Sequence, residues 1–137
     1  MHCWAFLALL LLPLNLHAQV LVVTGANNSS ITLSKNQISD VFLGKVTSLP
    51  DGSGVTLVDQ PESSSLRDEF YKKVANKSAA QAKAYWAKLY FTGRGVPPRV
   101  GKDDADIKKI LNSIHGAVGY IEQSALDDTV NVICILQ

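Results

Sequence analysis

Short runs of β-branched and other apolar residues alternate along the chain with segments in which apolar residues recur every three or four positions. The first pattern is typical of buried strands, and the second is typical of helices that pack on one face. Clusters of glycine, proline, serine and asparagine separate the two kinds of segment. The pattern predicts strands at 20–24, 55–58, 117–121 and 130–135.

Helices are predicted where a serine or aspartate precedes the helical spacing, because these side chains accept hydrogen bonds from the first N–H groups of a helix. The predicted helices run from Ser34 to Gly44, from near Ser64 to near Asn76, from Ser78 to Gly93, and from Asp103 or Asp104 to His115. A short helical turn is predicted at 122–126. Because strand and helix alternate from end to end, we expect an α/β fold, a three-layer sandwich with a largely buried sheet.

The first 18 residues have a different composition from the rest. Residues 3–16 carry no charge, and the small residue Ala18 follows shortly after them. An apolar core of this length before a small residue predicts a secretory signal peptide at 1–18, cleaved after Ala18, and leaves a domain at 19–137. A retained N-terminal membrane anchor is the alternative, although a span needs about 20 apolar residues.

Cleavage would leave Cys134 as the remaining cysteine, so no internal disulfide is expected. Its place in the apolar run 130–135 predicts a buried strand residue, because a thiol in apolar surroundings is inert as a nucleophile.

The charge balance excludes one large class of function. The chain has 13 Lys and Arg against 12 Asp and Glu, a net charge of +1, so it lacks the basic surplus of a dedicated nucleic-acid binder. Hydrophobic residues make up 47% and charged residues 18%, which is enough apolar surface for one globular domain. We find no Gly-rich nucleotide signature and no Cys/His metal spacing, so no cofactor and no metal are predicted.

The segment between the predicted strand 55–58 and the next helix is the main candidate for a binding site. Ser63, Ser64 and Ser65 lie where the N–H groups of a helix start lack partners, so hydroxyls and amides together can bind an anion. Plain N-capping by one serine is the alternative. Thr92 and Arg94, in the loop after the third predicted helix, are further candidates, because a hydroxyl and a guanidinium can both donate to an oxyanion.

Catalytic chemistry has less support. Ser64, His115 and Asp59 could in principle form a hydrolase triad, but no nucleophile-elbow pattern surrounds a serine. Aromatic residues at helical spacing are typical of core packing, and the apolar face predicted for the third helix consists of Ala82, Tyr85, Trp86, Leu89 and Tyr90. We therefore predict a protein that is not an enzyme.

Four segments, 33–45, 61–70, 85–93 and 116–121, resemble in their order and spacing the phosphate-binding proteins of bacterial ABC importers. The resemblance covers roughly residues 31–122. It implies one lobe of a type-II periplasmic binding protein and a location in the periplasm or outside the cell after export, which agrees with a signal peptide.

In that family a Ser-Gly-Thr-Arg segment opens the helix that holds phosphate, and Ser64-Ser65-Leu66-Arg67 occupies the matching stretch here. The resemblance implies that Ser64 contacts the oxyanion, with an amide from Ser65, a hydroxyl from Ser63 nearby, and Arg67. The chain departs from the family pattern at Ser65 and Leu66. It also has Asp59 and Gln60 where the family tends to place an arginine.

The resemblance and the residues together predict a secreted, solute-binding-like protein that binds phosphate or another small oxyanion weakly and is linked to ABC-type phosphate uptake. An ABC permease or another protein is the implied partner. The alternative is a non-enzymatic interaction module that keeps the lobe fold without ligand and docks on a partner protein or on a second copy of itself. Residues 19–137 match the length of one lobe, whereas receptors of this family close two lobes on their ligand.

Overall fold

The computed structural model describes residues 19–28 and 30–137, so the predicted signal peptide lies outside the described residues. Within the described part of the chain, no helix combines the length and the apolar character that crossing a membrane requires.

Five strands form one mixed sheet: β1 (Val20–Gly25), β2 (Thr56–Asp59), β3 (Arg99–Val100), β4 (Ala117–Glu122) and β5 (Val130–Leu136). Their order across the sheet is β3-β2-β4-β1-β5. β1 lies in the middle of an antiparallel group with β4 and β5, while β2 runs parallel to both β3 and β4. The carboxyl ends of β2, β3 and β4 therefore meet at one edge of the sheet.

Four helices and one 3₁₀ turn connect the strands: α1 (Lys35–Phe42), α2 (Ser65–Ala75), α3 (Ala79–Phe91), α4 (Asp104–Ser113) and the turn Gln123–Ala125. The predicted capping residues all act as caps, since the side chains of Ser34, Ser64, Ser78 and Asp103 each accept from an N–H group of the following first turn. These hydrogen bonds satisfy donors that have no partner inside a helix.

The centre of the sheet, β1 and β4, is buried on both faces, as the α/β prediction requires. Alternate residues of β1 point to opposite sides: Val20 and Val22 join the core beneath α1, α2 and α3, and Leu21 and Val23 join the core beneath α4. Both cores are built from side chains between Val20 and Leu136. The three-layer sandwich predicted from the sequence is therefore confirmed.

Packing between α1 and α3 depends on a glycine. Gly44 has φ of +71°, and a Cβ there would lie 2.9 Å from the Trp86 ring. The indole Nε1 of Trp86 donates to Phe42 O at 3.0 Å, and the hydroxyl of Tyr85 donates to Leu43 O at 2.6 Å. Both aromatic residues thus bind carbonyls at the end of α1 that no helical N–H reaches, which confirms their structural role.

Three details differ from the sequence-based expectation. β3 was not predicted, because two residues after Pro97 and Pro98 give no strand pattern; it forms by pairing with Val58 and Asp59 of β2. Cys134 is half-buried rather than buried, because β5 is an edge strand, and partial burial raises the pKa of its thiol. Tyr90, expected on the apolar face of α3, is 56% exposed.

Candidate functional site

The predicted serine segment lies at the carboxyl end of β2, where the chain turns into α2. Ligands of open α/β sheets bind outside the carboxyl ends of parallel strands. Asp59 is the last residue of β2 and pairs with Val100 of β3, and Ser64 is the N-cap of α2. The predicted segment therefore occupies the part of the fold where a ligand site is expected.

The three serines do not have equivalent positions. Ser64 is half-buried, and its hydroxyl accepts from Leu66 N at 3.2 Å. Ser63 and Ser65 are exposed. Among the described residues no acceptor is found for the backbone N–H of Ser63 or Ser65, whereas Ser64 N donates to Pro61 O at 2.9 Å and Arg67 N to Ser64 O at 3.2 Å. Ser64 therefore performs the capping role, and Ser65 offers an N–H at the positive end of the helix.

Asp59 is 1% exposed and is held by hydrogen bonds from α2, from β4 and from its own neighbour in the chain. The hydroxyl of Tyr71 on α2 donates to Oδ2 at 2.6 Å, and the hydroxyl of Tyr120 on β4 donates to Oδ1. The backbone N of Gln60 also donates to Oδ1 at 3.0 Å. A buried carboxylate is stable only when its lone pairs are satisfied in this way.

Arg67 supplies the opposite charge. It is 7% exposed, its Nε lies 3.6 Å from Asp59 Oδ2, and its Nη1 donates to Gln60 O at 3.2 Å. The Nε atom itself makes no hydrogen bond within the described residues. The Asp59 carboxylate thus offsets the Arg67 charge inside the protein, beside the exposed serines.

The two tyrosines remain hydrogen-bond donors at ordinary pH. Burial, together with the negative charge of Asp59, raises the pKa of both Tyr71 and Tyr120 far above the usual range. Both phenols therefore stay protonated, and Asp59 is the group that carries the negative charge. We name Asp59, Arg67, Tyr71 and Tyr120 the carboxylate cluster.

Gln60 connects the carboxylate cluster to the other side of the sheet. Its Nε2 donates to Tyr120 O and to Asp104 Oδ1, both at 2.9 Å. Asp104 belongs to the first turn of α4. Gln60 therefore serves as a buried connector between β4 and α4.

Arg67 also lines a groove of about 280 Å³ between α2, α3 and β3. Lys83 of α3 lies on the same groove, and its Nζ is 2.5 Å from Glu62 Oε1. This ion pair lowers the pKa of Glu62. The groove therefore has two basic and two acidic residues, and the rest of its lining consists of the side chains of Trp86, Ala87, Tyr90, Phe91, Pro97, Pro98 and Val100.

Thr92 and Arg94 are placed differently from the serines. Thr92 is the C-cap of α3, and its hydroxyl donates to Lys88 O at 2.8 Å. Arg94 is exposed and lines a different groove of about 300 Å³, which does not include the serines or Arg67. The two residues therefore do not join the serines in a common pocket.

The triad considered from the sequence does not assemble. His115 is exposed, and its Nε2 lies 3.1 Å from Ser53 Oγ. Thr56, the first residue of β2, donates to Gly116 O, so His115 is near the amino end of β2, whereas Asp59 ends that strand. Asp59 is bound by the tyrosines and Arg67. The hypothesis of a Ser64–His115–Asp59 triad is therefore wrong.

Sequence reasoning missed Tyr71 and Tyr120 as partners of Asp59. A signal existed for Tyr120, because a phenol in a strand buried on both faces needs a hydrogen-bond partner. Tyr71 had no comparable signal, since it follows Phe70 in an ordinary amphipathic helix. Within residues 19–28 and 30–137, no group of three His, Cys, Asp or Glu residues could hold a metal ion.

The fold is shared with solved phosphate-binding proteins. A candidate phosphate ABC transporter substrate-binding protein of Clostridium perfringens, solved with bound phosphate, is 24% identical with a TM-score of 0.67, and 85% of this chain matches 45% of that one. An ABC-type phosphate transport receptor of Vibrio cholerae is 19% identical with a TM-score of 0.66, covering 85% and 46% of the two chains. The PstS protein of Borrelia burgdorferi is 11% identical with a TM-score of 0.63, covering 85% and 47%.

Comparison by sequence adds no relative. No protein-family model matches the chain, and no curated protein matches it. The chain spans less than half the length of the three solved proteins described above. The structure is thus an α/β sandwich like one lobe of the phosphate ABC transporter substrate-binding proteins, as the resemblance between the sequences implied.

Proposed function

We propose that this protein binds a small oxyanion of the phosphate type, weakly, at the N-terminus of α2. The observation that carries the proposal is the pair of exposed serines, Ser63 and Ser65, whose N–H groups find no acceptor among the described residues. Such N–H groups at a helix start attract an anion, because they carry the positive end of the helix dipole. The fold shared with phosphate-binding proteins supports the same position.

Asp59 is the reason for expecting weak binding. It already offsets the charge of Arg67, with the two groups 3.6 Å apart. An incoming dianion therefore gains little from Arg67 and is repelled by the buried carboxylate. The exposed position of Ser63 and Ser65 adds to this, because hydrogen bonds open to water are worth less than those in a closed cleft.

We place this binding outside the cytoplasm, after removal of residues 1–18, in connection with ABC-type phosphate uptake. The apolar run at 3–16 and the transport receptors among the solved relatives support this placement. An ABC permease is the partner that such a role would require. Catalysis has no part in the proposal, and Thr92 and Arg94 are secondary candidates that contact a ligand only if it extends beyond the serines.

The test uses position 65, the first residue of α2, where proline is tolerated because its N–H is not needed for the helix. Ser64 has φ of −78° and ψ of 124°, which suits a residue before proline. Ser65→Pro removes the N–H, and Ser65→Ala removes only the hydroxyl. Because a hydrogen bond to a charged group is worth about 1.5–3 kcal/mol, Ser65→Pro should weaken phosphate binding by at least about tenfold.

Calorimetric titration of phosphate and of sulfate into the protein and its two variants measures this effect. We expect detectable heat for the unchanged protein, a smaller loss in Ser65→Ala and the large loss in Ser65→Pro. Absence of heat at millimolar anion would overturn the proposal and favour the alternative, an interaction module that keeps the fold without a ligand. Equal binding by all three would place the anion elsewhere.

A further inference from the structure

Exposed apolar side chains are concentrated on one part of the surface. Seven large apolar residues are substantially exposed within the described part of the chain, and five of them lie on two adjoining grooves: Val46, Tyr90, Phe91, Val96 and Val100. Phe91 is 84% exposed and Val96 is 78% exposed. Single exposed apolar residues are ordinary, but a contiguous group of them marks an interaction surface.

The two grooves form one continuous surface. Val46 and Val96 line the groove of about 300 Å³, which we call the first groove. Tyr90, Phe91 and Val100 line the groove of about 280 Å³, which we call the second groove. Trp86 and Pro97 line both grooves, so the two sets of exposed residues meet along the segment that joins α3 to β3. We call these five residues, with Arg94 and Arg99, the α3–β3 surface.

The unpaired charges of this surface are positive. Residues 70–102 include eight Lys and Arg and not one Asp or Glu, and three of these, Lys72, Lys73 and Lys83, pair with the acidic residues Asp68, Glu69 and Glu62 that precede the segment. Arg94 and Arg99 are exposed and line the first groove beside Val96. Neither makes an ion pair with another described residue, whereas Lys83 of the second groove is paired with Glu62. Two unpaired guanidinium groups thus lie on the same surface as the most exposed apolar side chains.

The backbone of the surface also suits an apolar environment. Pro97 and Pro98 have no N–H, so this part of the segment presents fewer donors that would lose their water on contact with an apolar phase. Phe91 and Val96 lie at either end of the turn between α3 and the prolines. Both can therefore enter such a phase together while Arg94, between them, stays with the polar groups at its boundary.

We propose that the α3–β3 surface binds the surface of an anionic lipid bilayer. Phe91 and Val96 enter the boundary between headgroups and acyl chains, and Arg94 and Arg99 contact the lipid phosphates. Basic residues near such a surface and apolar residues at its boundary both add to the affinity. Anionic lipids diffuse laterally to reach the arginines, so a bilayer needs no carboxylates matched to individual arginines, as an acidic protein partner would.

Vesicle co-sedimentation tests this proposal, with vesicles of phosphatidylcholine alone or mixed with phosphatidylglycerol. The chain starting at Gln19 is used, because residues 20–136 supply both cores and the apolar run 3–16 would add its own membrane affinity. We expect binding to the mixed vesicles and little binding to phosphatidylcholine. Salt should weaken the binding, since it screens the charges, while free phosphate at the same ionic strength should not compete any better than chloride.

Two pairs of double variants have matched controls on other surfaces. The double variant that combines Phe91→Ser and Val96→Ser is compared with a control double variant. The control combines Leu126→Ser and Ile135→Ser, which replace the two remaining exposed apolar residues of the described chain. The double variant that combines Arg94→Glu and Arg99→Glu has its own control, which combines Lys35→Glu and Lys109→Glu. Lys35 and Lys109 are exposed residues of α1 and α4. Because each basic residue near the membrane contributes about fivefold, the arginine variant should lose at least about twentyfold in affinity.

Equal losses in the variants and their controls would overturn the assignment to the α3–β3 surface. Absence of binding to phosphatidylglycerol vesicles would overturn the membrane proposal itself. If light scattering then showed self-association that Arg94→Glu with Arg99→Glu abolishes, the surface would belong to a protein contact instead. Because Ser65 is not part of this surface, loss of phosphate binding in Ser65→Pro has no bearing on these outcomes.

Discussion

The carboxylate cluster and the α3–β3 surface both contribute residues to the groove of about 280 Å³ and are built in opposite ways. In the cluster, charged and phenolic groups are buried, and their polar atoms pair with one another. On the surface, aromatic and aliphatic side chains are exposed, and Arg94 and Arg99 are unpaired within the described residues. Arginines therefore contribute to stability in the carboxylate cluster, whereas on the α3–β3 surface they are free for recognition.

The basic side chains that line the groove of about 280 Å³ are already paired, so they are not free to bind a ligand there. Arg67 lines it but is committed to Asp59 and to the carbonyl of Gln60. Lys83 is committed to Glu62. The groups with free donors lie outside the groove, at Ser63 and Ser65 on one side and at Arg94 and Arg99 on the other.

Removal of the buried carboxylate should have the largest effect on stability. Asp59→Ala leaves Arg67 as an uncompensated buried charge and deprives two phenols of their acceptor. Such a loss costs about 3–5 kcal/mol, so the urea midpoint should fall strongly. The control Arg94→Ala removes an exposed, unpaired arginine and should change stability by less than about 0.5 kcal/mol. Similar stability in the two variants would contradict a structural role for the cluster.

A smaller effect is expected from the phenols. Tyr71→Phe and Tyr120→Phe each delete one hydrogen bond to a buried carboxylate, worth about 1.5–3 kcal/mol. Tyr85→Phe, which deletes a hydrogen bond to the carbonyl of Leu43, should cost about 1 kcal/mol. Urea unfolding compares the three variants. If Tyr85→Phe proved the most damaging, the charge of Asp59 would not be what the phenols stabilise.

The smallest effect concerns an exposed ion pair far from both regions. Lys108, with help from Thr129, lowers the pKa of Asp127 from 3.8 to about 2. A carboxyl whose pKa is lowered by folding stabilises the protein above its unfolded pKa and loses that contribution as pH falls through its folded pKa. Unfolding measured between pH 4 and pH 2 should therefore show a shallower acid-induced loss for Asp127→Asn. An identical acid profile would contradict the pairing.

The sequence was sufficient to predict the layers, the helix caps and the position of the serine segment. The layers follow from the periodicity of the apolar residues. The helix caps follow from side chains that accept hydrogen bonds, those of Ser34, Ser64, Ser78 and Asp103. β3 could not be predicted, because two residues acquire strand geometry only from their neighbour β2. The partners of Asp59 could not be predicted either, since Tyr120 lies 61 positions away along the chain and meets it only across the folded sheet.

The exposure of the α3–β3 surface was also beyond the sequence. Leu89 and Tyr90 are neighbours in the chain, and the spacing along α3 does not say which of them the neighbouring helices cover. In the fold, Ala82 and Trp86 face the core, and the last turn of α3 extends past it. Tyr90 and Phe91 therefore remain exposed, although a pattern of aromatic residues at helical spacing favours packing.

Backbone amide NMR during a phosphate titration reports on the N–H group of each residue separately. If the N-terminus of α2 binds the oxyanion, the amide signals of Ser63 and Ser65 should shift most and saturate together. In the Ser65→Pro variant position 65 has no amide signal, and the shift of the Ser63 signal should be lost. The amides of Arg94 and Arg99 should stay in place. Shifts confined to Arg94 and Arg99, or no shift at Ser63 and Ser65 at millimolar phosphate, would contradict the account.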